Sequence, residues 1–78
     1  MNIKDCVKNL FDENEDSIIE AASCRMSHDE ETPISVRQYR AITDALTDVA
    51  IEILDADYNA VHKASASVAR EFVDNNPC

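Results

Sequence analysis

Not one of the 78 residues is glycine, where average usage of about 7% would supply several. Tight hairpin turns, β-bulges and phosphate-cradling loops need positive φ or a close backbone approach, and glycine supplies both at least steric cost. The omission therefore argues against a β-rich fold, a P-loop and a dinucleotide-binding fold. A helical chain joined by polar corners remains, and the apolar residues repeat at helical spacing. The sequence predicts an all-α protein, a compact bundle of three or four helices, with residues 1–78 as a single helical domain.

The first helical pattern runs from Ile3 to Met26. Ile3, Val7, Leu10, Phe11, Ile18, Ala22 and Met26 fall on one side of a 3.6-residue helix. The run Asp12-Glu13-Asn14-Glu15-Asp16 interrupts it, either as a solvated turn of one helix or as a corner between two. A break is favoured, with Asp12 and Glu15 as a capping box for the second piece. Arg25 and His28 suit a helix end, where cations meet the negative pole. Residues 27–33, "SHDEETP", read as a loop. Ser35 and Gln38 form an S-x-x-Q capping box for the next helix, and Ile34 can pack on Tyr39 as a hydrophobic staple. Val36, Tyr39, Ile42, Leu46, Val49, Ile53 and Leu54 then make a broad apolar stripe. "DAD" (55–57) reads as a corner. A last helix from about Tyr58 to Asp74 turns Val61, Ala64, Val68 and Phe72 inward, and Asn75, Asn76 and Pro77 stop it. Its small-sided stretch 64–69 permits close helix approach.

A chain this short buries only about 60% of its unfolded surface. It has four aromatic residues, Phe11, Tyr39, Tyr58 and Phe72. Such a core often borrows surface from a second copy, so a homodimer is expected. The formal net charge is −9, from 16 acidic and 7 basic residues. No basic cluster is present to meet nucleic-acid phosphates or an anionic membrane directly, which makes basic proteins or metal ions the easier partners, with simple solubility as the plain alternative. Lys4, Asp5, Lys8, Asp12 and Glu13 interrupt any apolar leader, and no apolar run nears the roughly 20 residues of a membrane span. A cytoplasmic protein is expected, with Cys6, Cys24 and Cys78 reduced; Cys78 could cross-link on oxidation.

Two windows resemble the EF-hand calcium loop. In residues 12–23, Asp12, Asn14 and Asp16 match ligand positions 1, 3 and 5, and Ile19 the aliphatic position. In residues 55–66, Asp55, Asp57 and Asn59 match the same ligand positions. The turn glycine is replaced by Ser17 and Ala60, and the bidentate carboxylate by Ser23 and Ala66, so geometry and clamp are both missing. No metal or cofactor is expected, and a degenerate EF-hand-like metal module is the third reading. Residues 32–50 resemble a ribbon-helix-helix repressor, a short β-like run followed by an amphipathic helix. That resemblance implies DNA reading from the strand, for which only Arg37 and Arg40 are at hand. Cys24 and His28, at i and i+4, could share a metal on one helix face. Structural zinc needs four ligands, and Cys6 and His62 are the other candidates. No base is nominated for a cysteine nucleophile, so no catalytic residue and no enzyme are predicted.

One acidic pattern goes against helix energetics. Asp44, Asp48, Glu52 and Asp55 follow at i, i+4, i+8 and i+11, on one outward stripe with about 6 Å per four-residue step. Like charges at i, i+4 destabilise by about 0.2–0.5 kcal/mol per pair. The acids also gather at the helix C-terminus while Arg37 and Arg40 sit at its start, against the macrodipole. Either the stripe is the solvated face of an acidic protein, or it is a contact site kept at a structural cost. The leading reading is a small acidic, non-enzymatic binding protein. It recruits or inhibits a basic partner, including nucleic-acid-binding proteins, through Asp44, Asp48, Glu52 and Asp55. As a broad type it resembles the small inhibitors of phages and mobile elements, nucleic-acid mimics among them. The alternative is a dimeric DNA-binding regulator or antitoxin.

Overall fold

The computed structural model describes residues 2–75 as four helices: α1 (Ile3–Glu13), α2 (Glu15–Arg25), α3 (Ile34–Ile53) and α4 (Tyr58–Asn75). The expected stop at Asn76 and Pro77, and Cys78, lie outside the described residues. The fold is a compact all-α bundle, as the periodicity implied.

Asn2 starts α1: its side-chain oxygen accepts from the Asp5 amide at 2.9 Å, one donor that a helix start otherwise leaves unmet. The break falls at Asn14. Its backbone leaves the helical region (φ −123°, ψ 25°), while its backbone and side-chain amides both donate back to the Leu10 carbonyl, at 3.1 and 3.0 Å. The helix thus breaks at one residue while the Leu10 and Phe11 carbonyls keep amide donors. The capping box expected from Asp12 and Glu15 does not form, because Asn14 itself is the cap position of α2 and makes no side-chain capping bond there. The bend sends the two halves of one apolar face to different neighbours: α1 packs chiefly on α4, and α2 on α3.

Phe11 sets its ring edge to Phe72 at a centroid distance of 5.3 Å, an arrangement worth about 0.5–1.5 kcal/mol beyond its area. Lys4 reaches Glu71 at 2.8 Å across the same interface. The contact raises the lysine pKa and lowers that of the carboxyl. Both side chains are about half exposed, so the clasp orders the surface more than it stabilises it.

α3 and α4 form the main hairpin. Six of the thirteen residues they bury are alanine or serine: Ala41, Ala45 and Ala50 on one, Ala64, Ser65 and Ala69 on the other. Ile42, Leu46, Val61, Val68 and Val73 supply the larger side chains of this part of the core. Thr43 and Thr47 satisfy their buried hydroxyls on the carbonyls of Tyr39 and Thr43, each at 2.7 Å. The fully buried Ser65 hydroxyl has no hydrogen-bond partner among the described residues.

The start of α3 differs from the expectation. Helix begins at Ile34, Pro33 is the cap position, and no side chain caps it. The Pro33 carbonyl accepts from the Val36 and Arg37 amides at 3.0 and 3.1 Å. Proline's fixed φ suits that entry, and it leaves Ser35 already inside the helix, where it cannot serve as cap. The strand-like run implied by the ribbon-helix-helix resemblance is likewise absent, because Ile34, Ser35 and Val36 are helix. The apolar stripe of α3 is largely covered within one chain. Ile42, Leu46 and Ala50 are buried and Val36, Tyr39, Val49 and Leu54 half-buried, which leaves Ile53 outside.

Candidate partner-binding face

The four stripe residues are all exposed, but they do not share one environment. Asp44, Asp48 and Glu52 stand on α3. Asp55 falls past its end at Ile53, in the corner before α4, so the stripe of one helix is three carboxylates long.

The first half of the stripe is met by cations. Arg25, at the last turn of α2, forms an ion pair with Asp48. Arg25, Arg37 and Arg40 line a polar groove of about 200 Å³ with Asp29, Asp44, Ser27 and Thr32. Three of the seven basic residues are therefore gathered here, interleaved with acids, and they do not form the basic stripe a DNA-binding regulator requires. The loop that closes the groove is built on Asp29. Its carboxylate accepts from the Thr32 hydroxyl at 2.7 Å and the Glu31 amide at 3.0 Å. Those two bonds, with Arg37 and Arg40 nearby, hold its pKa below the ordinary aspartate value. Arg37 donates from Nε to the Thr32 carbonyl at 3.0 Å and from Nη1 to the Ser27 carbonyl at 3.4 Å, which ties the loop to α3.

The second half is bare. Between Arg40 and Lys63 the chain has no lysine or arginine. Glu52 ends α3 where the macrodipole is negative. Asp57 has a local role: its carbonyl accepts from the Val61 amide at 3.0 Å and its carboxylate from the Ala60 amide at 3.3 Å, so it caps α4. Beside these acids stand Ile53 and Tyr58, 59% and 56% exposed. The Tyr58 ring stacks on His62 at a centroid distance of 6.0 Å. The sequence reading placed Ile53 on the core stripe and gave Tyr58 no role. The available signal was the corner itself: a helix that stops at Ile53 leaves its last apolar residue with little to pack against.

The metal readings meet a geometric obstacle. Residues 12–23 are helix apart from Asn14, and residues 58–66 are helix, so neither window forms a loop that could wrap an ion. Cys24 is on α2 but His28 lies past its end at Arg25, so they do not share one helix face. No group of three or more histidine, cysteine or acidic side chains is placed to hold a metal among the described residues. Cys6 is half-buried and Cys24 exposed, both as free thiols. No helix among the described residues is long and apolar enough to cross a membrane. Searches of protein-family models, curated proteins and solved structures found no match to this chain.

Proposed function

We propose that this chain is a small, non-enzymatic binding protein that recruits or inhibits a basic protein partner, nucleic-acid-binding proteins included, through the acidic outer side of α3 and the corner that follows it. The observation that carries the reading is the exposure of Asp44, Asp48, Glu52 and Asp55 together, in a chain of net charge −9. Carboxylates repeating about every 6 Å along a helix suit a groove lined with lysine and arginine, and they steer association with such a surface. Within the four, Glu52 and Asp55 carry more of the contact, because Asp48 is already paired and Asp44 faces three arginines.

The test is a variant with Asp44, Asp48 and Asp55 changed to Asn and Glu52 to Gln. It is compared with the parent as bait in extracts of the source cells, with captured proteins identified by mass spectrometry. The expected result is a basic protein retained by the parent and lost by the variant, while the variant stays folded and loses no more stability than the exposed Arg25–Asp48 pair contributes, up to about 1 kcal/mol. A variant that keeps the same protein with unchanged affinity overturns the assignment.

A further inference from the structure

The α3–α4 corner combines two features that solvation alone does not call for. Ile53 and Tyr58 flank it on either side, at the same end of the hairpin, and each leaves more than half of its surface in water. Single exposed apolar residues are ordinary on protein surfaces. Here, though, the two most exposed large apolar residues among those described gather at one corner, ahead of Ile34. The charges that flank them in the sequence have one sign: Glu52, Asp55 and Asp57 are exposed, and Lys63, in the second turn of α4, is the nearest lysine or arginine along the chain. Tyr58 is also held, since its ring rests on His62. A pre-placed tyrosine loses little freedom on binding, one reason aromatic residues of this kind carry much of the energy at interfaces.

Charge complementarity selects the occupant. An anionic membrane or a nucleic acid meets like charge at this corner. A purely polar basic segment leaves Ile53 and Tyr58 uncovered. A segment with cationic and apolar residues on adjacent sides satisfies both. We propose that the α3–α4 corner docks a cationic amphipathic helix of a partner protein, with Ile53 and Tyr58 against its apolar side and Glu52 and Asp55 against its lysines or arginines. This rests on the binding function proposed above and moves the centre of contact from the middle of α3 to its end. Asp57 adds to the local field while its carboxylate caps α4.

The test uses two synthetic helix-forming peptides of equal length and charge, about five turns each, one alternating Leu and Lys faces and one with Ser in place of Leu. Each is titrated into the isotope-labelled protein at physiological ionic strength, and backbone amide shifts are followed. The Leu/Lys peptide is expected to bind at least about tenfold more tightly, with the largest shifts confined to residues 52–62. The double variant Ile53→Ser, Tyr58→Ser should lose that preference and keep its melting temperature, whereas Glu13→Gln with Glu20→Gln, exposed acids of α1 and α2, should retain it. Equal affinity for both peptides, with shifts spread over 12–16, 29–31 and 44–48, overturns the corner and leaves the charge-led function standing. Failure of both peptides to bind at low salt overturns the two together. Shifts at Ile53 and Tyr58 that grow with protein concentration alone make the corner a self-association surface and overturn the proposal as well.

Discussion

The two ends of α3 are built from similar residues and do opposite things. At the start, Arg37 and Arg40 face Asp29 and Asp44, Arg25 arrives from α2 to pair with Asp48, and a hydrogen-bonded loop closes the groove. At the finish, Glu52, Ile53 and Asp55 are exposed, and no ion pair among the described residues reaches the two acids. The acids keep the same four-residue rhythm from Asp44 to Glu52, so spacing along the helix does not separate the halves. Which residues the neighbouring helix brings against them does.

The largest expected effect tests whether the finish of α3 is surface at all. Leu46 and Ile53 belong to one apolar stripe, yet Leu46 is fully buried. Leu46→Ala should cost about 2–5 kcal/mol, as buried leucine truncations do, whereas Ile53→Ser should stay within about 0.5 kcal/mol, as surface changes do. Urea denaturation of both variants decides this. Comparable losses would make the corner part of the core and dissolve the contrast.

Between the two ends, the α3–α4 interior supplies a reference that neither end should disturb. The Ser65 hydroxyl is buried there without a partner among the described residues, and an unmet buried hydroxyl costs about 1–3 kcal/mol. Ser65→Ala should raise stability by about 1 kcal/mol, at the lower edge of that range because a small void replaces the oxygen. A loss of stability would mean the hydroxyl is bonded in solution.

The next effect separates the ends by sign. Arg25→Ala removes the partner of Asp48 and should cost up to about 1 kcal/mol, the upper value for an exposed ion pair, with the cost shrinking in high salt. Glu52→Gln should do the reverse. It relieves repulsion from Asp48 one turn earlier, about 0.2–0.5 kcal/mol, and removes a negative charge from the negative pole of α3. Thermal melts at low and high salt check both. Two variants that shift in the same direction would mean the two halves of the stripe are equivalent.

The helices were legible because periodicity and the missing glycine act within a few residues of one another. The break near residue 14, the loop 27–33 and the corner at 55–57 all emerged at that range. The failures were of two kinds. Ser35 carries the local signature of a cap, but Pro33 starts the helix earlier and leaves it inside. Asp48 looked free because its cation comes from another helix, and an ion pair to Arg25 leaves no mark on the spacing of α3. The exposure of Ile53 was missed for the same reason: a stripe identifies which side of a helix is apolar, not how far along that side a neighbour extends.

The smallest effect concerns pH at the closed end. Asp29 organises the loop as a carboxylate, accepting from Thr32 and Glu31, and its folded pKa lies below its ordinary value. A lowered carboxyl pKa contributes order above the unfolded value, about 3.9 for aspartate, and that contribution disappears as pH falls through the folded value. The Asp29 carboxyl is fully exposed, so the effect is local ordering rather than global stability. The Glu31 amide shift should therefore report a midpoint below the ordinary aspartate value, and Asp29→Asn should abolish that titration. Arg37→Gln should raise the midpoint, because it removes a nearby positive charge and releases the carbonyls of Thr32 and Ser27 that pin the loop. An Asp29 that titrates at or above its ordinary value would leave the closed end as loosely held as the corner. The contrast between the two ends of α3 would then rest on the Arg25–Asp48 pair alone.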